Sequence, residues 1–303
     1  MTSVIVPVLL IPAVLALSIT FQTQLQKSQA NSPQTSDNSN LLESGQGKKL
    51  RSLSSMNEFR IVSYNIRWRS GEDLKKLIQL FREDKEIGNA TVLALQEVDR
   101  NKQRSGRTNT AKLLADELGL YYAWAAPPAP KPNAEEETGV ALLSAYPLSK
   151  VSRIVLPHEG PDHRRRIALG ASIQVSNLEL RVYSAHAETR ISMDKKLDQM
   201  SALLSDLGKH SPSTPAVIMG DLNTWQSDAE RKTIKLFTAA GFTTPFGNQT
   251  TFLRRVFFVP IDLRLDWIWF RGLEIVSYGI DRKIAISDHW PLWTTVKLQN
   301  QKP

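Results

Sequence analysis

The chain has no cysteine among its 303 residues. This absence excludes disulfide bonds, thiolate metal sites and cysteine nucleophiles. Any metal ion must therefore be held by oxygen ligands or by histidine. That donor set favours Mg²⁺, with Mn²⁺ or Ca²⁺ as alternatives, over structural zinc.

Acidic residues are also fewer than basic ones, with 30 Asp and Glu against 38 Lys and Arg, so the net charge is +8. A surplus of positive charge favours anionic partners. Nucleic acid, phosphate esters and an acidic membrane surface all meet this requirement, and the charge does not choose among them.

The first 56 residues differ in composition from the rest of the chain. Residues 4–21 are almost wholly apolar, and no Lys or Arg precedes them. Their length lies between a signal-peptide core and a short membrane span, so residues 1–22 are predicted to be a cleaved signal peptide or a retained membrane anchor. Residues 23–56 are polar and rich in Ser, Asn and Gln, which predicts a disordered linker. We therefore expect an exported or membrane-anchored protein, periplasmic or secreted, with its folded domain outside the cytoplasm.

Strand-like and helix-like segments alternate through residues 57–300, which we predict to be one domain. Leu74, Leu77, Ile78 and Phe81 follow helical spacing, whereas "FRIVSYNI", "TVLALQEV" and "LELRVYSAH" are typical of strands. Helices that alternate with strands, together with hairpin-like strand pairs, predict a layered α/β domain with mixed sheets.

Polar residues recur at the ends of the apolar strand segments. An ionised side chain in such a place is costly to bury unless it is paired or binds a metal. Taken singly, each has an ordinary structural explanation: Asp221 is a turn or helix cap, a histidine is a satisfied core or surface residue, and Glu97 pairs with a nearby arginine. As a group they indicate a functional site. The group comprises Asn65, Glu97, His186, Asp221, Asn223, Asp266, Asp288 and His289.

The segments around these residues resemble the endonuclease/exonuclease/phosphatase family, which includes DNase I, abasic-site endonucleases, neutral sphingomyelinases and inositol polyphosphate 5-phosphatases. The matching stretches, in family order, are "SYNIR", "ALQEVD", "GVALLSAYPL", "RRIAL", "VYSAH", "GDLNT", "LDWIW" and "SDHWPL". The resemblance runs from about residue 61 to residue 292. It implies a DNase I-like, four-layer α/β sandwich of two mixed β-sheets flanked by helices. It also implies divalent-metal-dependent hydrolysis of phosphodiester bonds.

The resemblance also assigns roles to individual residues. Glu97 is the leading metal ligand, with Asn65 and Asp288 beside it. Asp221 is expected to activate water or hold a second metal, and the Asn223 amide to donate to a phosphate oxygen. His289 is the general base or a phosphate-binding histidine. The catalytic set is His186, Asp221, Asn223, Asp266 and His289, in which Asp266 holds the His289 ring and His186 donates to a phosphate or leaving-group oxygen.

The substrate is less well defined by the sequence. Arg166 and Trp225 are predicted to contact substrate, although "HRRR" at 163–166 is equally a solvated basic turn. Basic clusters at 100–107, 163–166 and 253–255 suit a nucleic-acid backbone, an anionic membrane or ordinary solubility. We predict a nonspecific nuclease. The alternatives are a sphingomyelinase-like lipid phosphodiesterase or phosphatase at a membrane surface, and a non-catalytic phosphate-binding module. No obligate protein partner is expected.

Overall fold

The computed structural model describes residues 41–52, 58–128, 137–226, 228–256 and 259–298. The predicted signal peptide or anchor at residues 1–22 and most of the predicted linker lie outside the described residues. Within the described part of the chain, no helix combines the length and the apolar character needed to cross a membrane.

Fourteen strands and four α-helices are formed by the described residues. The strands are β1 (Leu42–Gln46), β2 (Glu58–Asn65), β3 (Val92–Arg100), β4 (Tyr121–Ala125), β5 (Glu137–Ser144), β6 (Ser149–Val155), β7 (Ile167–Val175), β8 (Leu178–His186), β9 (Ala216–Asp221), β10 (Phe252–Val256), β11 (Val259–Leu263), β12 (Asp266–Arg271), β13 (Leu273–Ile280) and β14 (Leu292–Leu298). The helices are α1 (Gly71–Glu83), α2 (Thr110–Leu118), α3 (Met193–Leu207) and α4 (Ala229–Ala239). Short 3₁₀ helices cover Gln103–Ser105 and Pro161–His163.

The strands form two main sheets and a separate hairpin. The larger sheet has the order β1-β4-β5-β3-β2-β14-β13, and the smaller one has the order β12-β9-β8-β7-β6. Each main sheet contains one parallel pair, β2 with β3 and β8 with β9, among antiparallel neighbours. Both sheets are therefore mixed, as predicted. The hairpin consists of β10 and β11.

Three apolar clusters define the layers. Successive strand residues face opposite sides of a sheet, so Ile61 and Val62 in β2 belong to different clusters. One cluster lies between the sheets and contains Ile61 and Val217. A second joins the outer face of the larger sheet to α1 and α2, and the third joins the smaller sheet to α3 and α4. The order helix, sheet, sheet, helix confirms the predicted four-layer sandwich.

The predicted boundary between linker and domain needs correction. Leu42–Gln46, inside the predicted disordered linker, forms β1 and pairs antiparallel with β4. The composition of this segment is polar, and its order comes from partners distant in sequence. Glu43 accepts hydrogen bonds from the Tyr122 hydroxyl at 2.7 Å and from Arg100 at 3.3 Å. The folded unit therefore begins before residue 57.

Strand direction brings the predicted site residues to one edge of the sandwich. Parallel strands end at the same edge of their sheet, which places Asn65 beside Gln96 and His186 beside Asp221. Strand β12 runs antiparallel to β9 and begins with Asp266 opposite Asp221. Two sheets thus contribute strand termini to a single location.

Candidate active site

Asn65 connects the two sheets at this edge. Its Nδ2 atom lies 3.1 Å from Asp221 Oδ2, 3.4 Å from Glu97 Oε1 and 3.4 Å from His289 Nε2. The backbone N–H of Arg67 donates to Asn65 Oδ1 at 3.1 Å, which orients the amide with its nitrogen toward these three groups. The amide is fully buried. The structure therefore brings three predicted site residues around the side chain of a fourth, Asn65.

A β-bulge directs Glu97 into the site. The pairing of β3 with β5 skips Glu97, since Gln96 lies opposite Val140 and Val98 opposite Gly139. Glu97 has a φ of +55°, in the left-handed region. An inserted residue in this conformation bends the strand and re-aims its side chain. Glu97 is half-buried, whereas its neighbours in β3 are buried, so its carboxylate remains accessible.

Gly220 allows β9 to end beside β8 at close range. Its φ is +144°, and a Cβ atom there would lie 2.0 Å from the carbonyl oxygen of Ala185. No other residue fits this position without moving the backbone. The glycine thus places the following Asp221 against the end of β8, where His186 lies.

Asn223 is held in the left-handed conformation, with a φ of +52°. Its backbone N–H donates to Asp221 Oδ1 at 3.0 Å, and its Nδ2 donates to the Ala187 carbonyl at 3.0 Å. The buried ammonium of Lys196 donates to the Asn223 carbonyl. Burial lowers the pKa of Lys196 to about 8. Asp221 and Asn223 are therefore fixed by a dense set of hydrogen bonds, and Asn223 retains one amide hydrogen beyond the Ala187 bond.

Asp266 and His289 form a buried pair. His289 Nδ1 lies 2.8 Å from Asp266 Oδ2, so the ring donates through Nδ1 and turns Nε2 toward Asp221, whose Oδ2 is 3.7 Å away. Burial alone would lower the pKa of His289, but the carboxylates of Asp266, Asp221 and Asp288 outweigh it and raise that pKa above its ordinary value. Asp266 thus lies beside the imidazole ring that it is predicted to hold.

Thr251 supports this pair and was missed by the sequence analysis. Its hydroxyl donates to Asp266 Oδ2 at 2.8 Å and accepts the backbone N–H groups of Leu265 and Asp266, each at 3.0 Å. Thr251 precedes the β10–β11 hairpin, and Phe252 packs its ring edge-on against His289 with centroids 4.9 Å apart. Nothing in the local sequence pattern connects a threonine before a hairpin with an aspartate fifteen residues later.

His186 is held in one tautomer by Arg166. Arg166 Nη1 lies 3.2 Å from His186 Nδ1, and a guanidinium is always a donor, so Nδ1 accepts and the proton resides on Nε2. Burial and the charge of Arg166 keep the pKa of His186 well below its usual range. The side chain is therefore a neutral donor whose Nε2 lies 3.6 Å from Asp221 Oδ2.

Arg166 is in turn fixed by Glu188, a fully buried carboxylate that the sequence analysis did not select. Glu188 accepts from Arg166 Nε at 3.1 Å and from Arg164 Nε at 3.0 Å. The structure therefore places Arg166 behind His186. Its predicted contact with substrate stays a prediction.

The residues of the site fit a divalent cation. The Nδ2 atom of Asn65 faces two carboxylates, Glu97 and Asp221, and Asp266 Oδ1 is buried without a hydrogen-bond partner among the described residues. Burial raises the pKa of Asp221, and nearby Asp266 and Glu97 raise it further, although His289 opposes them. Carboxylates whose negative charge is not balanced by nearby positive groups are ligands suited to Mg²⁺ or Mn²⁺.

The three predicted metal ligands do not all lie together. Glu97 and Asn65 lie side by side, whereas Asp288 forms an ion pair with Arg67 at 2.9 Å. Ligand atoms of Asp221, Asp266 and His289 also lie within 4.8 Å of one another. However, Asp266 Oδ2 already accepts from Thr251 and His289, so that group is better described as a hydrogen-bonded pair facing Asp221.

Trp225 lies at the rim of the site. About half of its side chain is exposed, at 49%, and Lys196 Nζ is 5.4 Å from its ring centroid. It follows Asn223 by two residues but makes no hydrogen bond in the described network. Its predicted contact with substrate remains a prediction.

Comparisons with known proteins agree with this architecture. A family model described as the endonuclease/exonuclease/phosphatase family matches residues 62–289. An endonuclease/exonuclease/phosphatase from Beutenbergia cavernae is 19% identical with a TM-score of 0.61, and the match covers 80% of this chain and 72% of that one. The human Nocturnin catalytic domain with bound sulfate is 16% identical with a TM-score of 0.62. The match covers 79% of this chain and 93% of that one.

A third similar structure is ANGEL2, described as a 2′,3′-cyclic phosphatase in complex with adenosine-2′,3′-vanadate. It is 14% identical with a TM-score of 0.59, and the match covers 80% of this chain and 96% of that one. A sequence search of curated proteins finds no match. Identities this low establish the shared fold, and the family model extends over most of the strands that carry the candidate site.

Proposed function

Because this chain belongs to the endonuclease/exonuclease/phosphatase family, we propose that it is a nuclease that hydrolyses phosphodiester bonds with the help of a divalent cation. The observation that carries the proposal is the buried Asp266–His289 pair, whose Nε2 faces Asp221 and Asn65 at the shared edge of the sheets. A buried acid–imidazole pair next to a second carboxylate is an arrangement suited to proton transfer and phosphate binding.

Each residue has a role that follows from its environment. Asp266 and the neighbouring carboxylates favour the protonated form of His289, so His289 donates from Nε2 to a phosphate oxygen. Burial makes Asp221 more basic than an ordinary carboxylate, and it accepts the proton of the attacking water. His186 is neutral and donates from Nε2, and the remaining amide hydrogen of Asn223 adds a further donor for the phosphate.

A divalent cation would neutralise the phosphate oxygens and the developing charge on the leaving group. Glu97 is the carboxylate that we propose to hold it, with Asn65 and Asp288 as neighbours. Asp288 would have to exchange its present partner Arg67. The half-buried position of Glu97 leaves its carboxylate within reach of solvent and substrate.

Nucleic acid is the substrate class that we propose, on the net charge taken together with the structural comparison. The net charge of +8 supports attraction to a polyanion. ANGEL2, whose structure contains an adenosine derivative, supports the view that this fold accommodates nucleotides. Export or membrane anchoring through residues 1–22 is a further part of the proposal, and fractionation of cells that express the full chain tests it.

The decisive experiment is hydrolysis by the purified full chain of plasmid DNA, RNA, sphingomyelin vesicles and inositol phosphates, with Mg²⁺ or with EDTA. Asp221→Asn keeps the size of the side chain and removes its basicity. Asp198→Asn on α3, where the carboxylate is 62% exposed and pairs with His158, is the matched control. We expect cleavage of DNA or RNA that EDTA and Asp221→Asn abolish and Asp198→Asn preserves.

Two other outcomes would contradict the proposal. Turnover of sphingomyelin alone would make the chain a lipid phosphodiesterase. Absence of turnover on every substrate, with Mg²⁺ or Mn²⁺ present, would favour a phosphate-binding module without catalysis.

A further inference from the structure

A cavity of about 260 Å³ opens beside Glu97 and His186 and extends the candidate site to one side. Its wall includes four arginines, Arg104, Arg164, Arg165 and Arg166, and Glu97 is the one carboxylate among its described lining residues. A volume of this size lies just below the usual range of ligand sites, about 300–1,000 Å³. It therefore fits one substituent of a substrate rather than a whole nucleotide.

The arginines of this cavity are held in place from behind. Asp99, which is fully buried, accepts from Arg104 Nε at 2.7 Å and Nη2 at 2.9 Å. Glu188, also fully buried, accepts from Nε and Nη2 of Arg164. A guanidinium carries five N–H donors in a planar fork. Because Glu188 engages Nε and Nη2 of Arg164, the Nη1 side of that fork remains to bind a ligand.

Arg165 contributes a donor that the protein does not satisfy. Its Nη1 lies 3.3 Å from Glu159 Oε1 and its Nη2 donates to the Leu156 carbonyl at 3.2 Å. Its Nε is buried without a hydrogen-bond partner among the described residues. Arg165 is also a lining residue, so its positive charge makes the cavity more favourable for an anionic ligand.

Backbone strain is concentrated around Trp68 and Glu97, which also line the cavity. Arg67, Trp68 and Glu97 have φ values of +45°, +49° and +55°. The Trp68 N–H donates to the Glu97 carbonyl at 2.9 Å, and Arg104 stacks on the indole with its Cζ 4.2 Å from the ring centroid. Three adjoining left-handed residues of this kind cost free energy that other contacts must offset, and such strain accumulates at ligand sites.

We propose that this cavity binds a second phosphate group of the substrate, next to the scissile phosphate. The inference rests on the proposed nuclease function and specifies which substrates that site prefers. Arginine forks match the geometry of phosphate and bind it through two parallel hydrogen bonds. A nucleic-acid backbone supplies such a neighbouring phosphate. A choline headgroup carries a positive charge instead, so the same arginines disfavour a phosphocholine lipid.

The test compares three dinucleotides that share one scissile bond: TpT, pTpT and TpTp. The full chain with Mg²⁺ is expected to hydrolyse one of the two terminally phosphorylated forms with a kcat/KM at least about tenfold above that of TpT, the factor of a charge-assisted hydrogen bond. Arg164→Gln and Arg165→Gln should each reduce this ratio toward one. Lys75→Gln, which removes one positive charge from an exposed position on α1, should leave the ratio unchanged.

A binding measurement separates this inference from the proposed function. In EDTA, calorimetry with thymidine 3′,5′-bisphosphate and thymidine 5′-monophosphate should show tighter binding of the bisphosphate, and Arg164→Gln should remove the difference. Thermal melting confirms that each variant is folded, and Arg165→Gln replaces Arg164→Gln if the latter is not.

The outcomes then fall into distinct classes. Equal kcat/KM for all three dinucleotides, or a ratio that both arginine variants retain, overturns the second-phosphate site and leaves the nuclease intact. Arginine-dependent binding of the bisphosphate without hydrolysis of any substrate overturns the nuclease and supports the site. Equal binding of bisphosphate and monophosphate by an inactive protein overturns both.

Discussion

The pair formed by Arg181 in β8 and Asp206 in α3 provides a prediction of large magnitude. Arg181 Nη2 lies 2.9 Å from Asp206 Oδ2, and the two residues are 1% and 5% exposed. Asp206→Asn leaves the guanidinium buried without its counter-charge, and the Tyr183 hydroxyl, 3.0 Å from the same oxygen, loses a charged acceptor. Removal of one partner from a buried pair costs about 3–5 kcal/mol. For a domain of this size the melting temperature should fall by roughly 6–20 °C.

The size of this effect depends on pH in a defined direction. Burial alone would raise the pKa of Asp206, but the hydrogen bond and charge of Arg181 outweigh it and hold that pKa below its ordinary value. A carboxyl with a lowered folded-state pKa contributes stability that is fully present above the unfolded value of about 4. The contribution is lost as the pH falls through the folded-state pKa. The difference in stability between wild type and Asp206→Asn should therefore be constant near neutrality and shrink below about pH 4.

Urea unfolding of the full chain, followed by tryptophan fluorescence between pH 3 and pH 8, measures this difference. Glu72→Gln breaks a fully exposed pair with Lys75 on α1 and should not measurably change the unfolding midpoint. The double variant Arg181→Met/Asp206→Leu should recover part of the lost stability, because it removes both charges from the interior. A loss below about 1 kcal/mol, or one that stays the same down to pH 3, would refute the reasoning.

Three further predictions concern the site. Thr251→Val should lower kcat about tenfold or more, whereas Thr251→Ser should retain most of it, because only serine keeps the hydroxyl bond to Asp266. Equal kcat for both variants would show that Thr251 does not position Asp266. Asp266→Asn should reduce kcat by about 10²–10⁴-fold, since the amide no longer stabilises the ring of His289, and activity near wild type in steady-state assays would contradict this. Gly220→Ala should destabilise the fold by about 2–4 kcal/mol in urea titrations, because its Cβ would collide with the Ala185 carbonyl. An unchanged unfolding midpoint would show that β8 and β9 can move apart at little cost in free energy.

Much of the fold could be predicted from periodicity because its strands and helices are buried on definite faces. The pattern of Leu74, Leu77, Ile78 and Phe81 predicted α1, and all four residues are buried against the larger sheet. Strand β1 was missed because its pairing depends on the edge of β4 and on side chains such as Arg100, far away in sequence. In the sequence, the β10–β11 hairpin was noted only as a basic cluster. In the structure, Thr251 directly before it donates to Asp266.

The site was predictable where it depends on strand termini and unpredictable where it depends on orientation. Asn65, His186 and Asp221 end their strands, so hydrophobic patterning and strand direction suffice to bring them together. Glu97 required more, because a bulge, which no hydrophobic pattern specifies, turns its side chain into the site.

His186 shows how a residue's role depends on contacts that sequence does not display. From the sequence it was predicted to donate to a phosphate or leaving-group oxygen. Arg166 donates to its Nδ1, and Glu188 holds Arg166 in place. Because a guanidinium cannot accept a hydrogen bond, protonation of Nδ1 would set two donors against each other inside the protein. His186 therefore stays neutral, and its Nε2–H is available as a fixed donor beside Asp221. His289, with Asp266 as its partner, is driven toward the opposite protonation state. The two histidines differ in their favoured charge because one faces an arginine and the other a carboxylate, and this difference supports the separate roles that we propose for them.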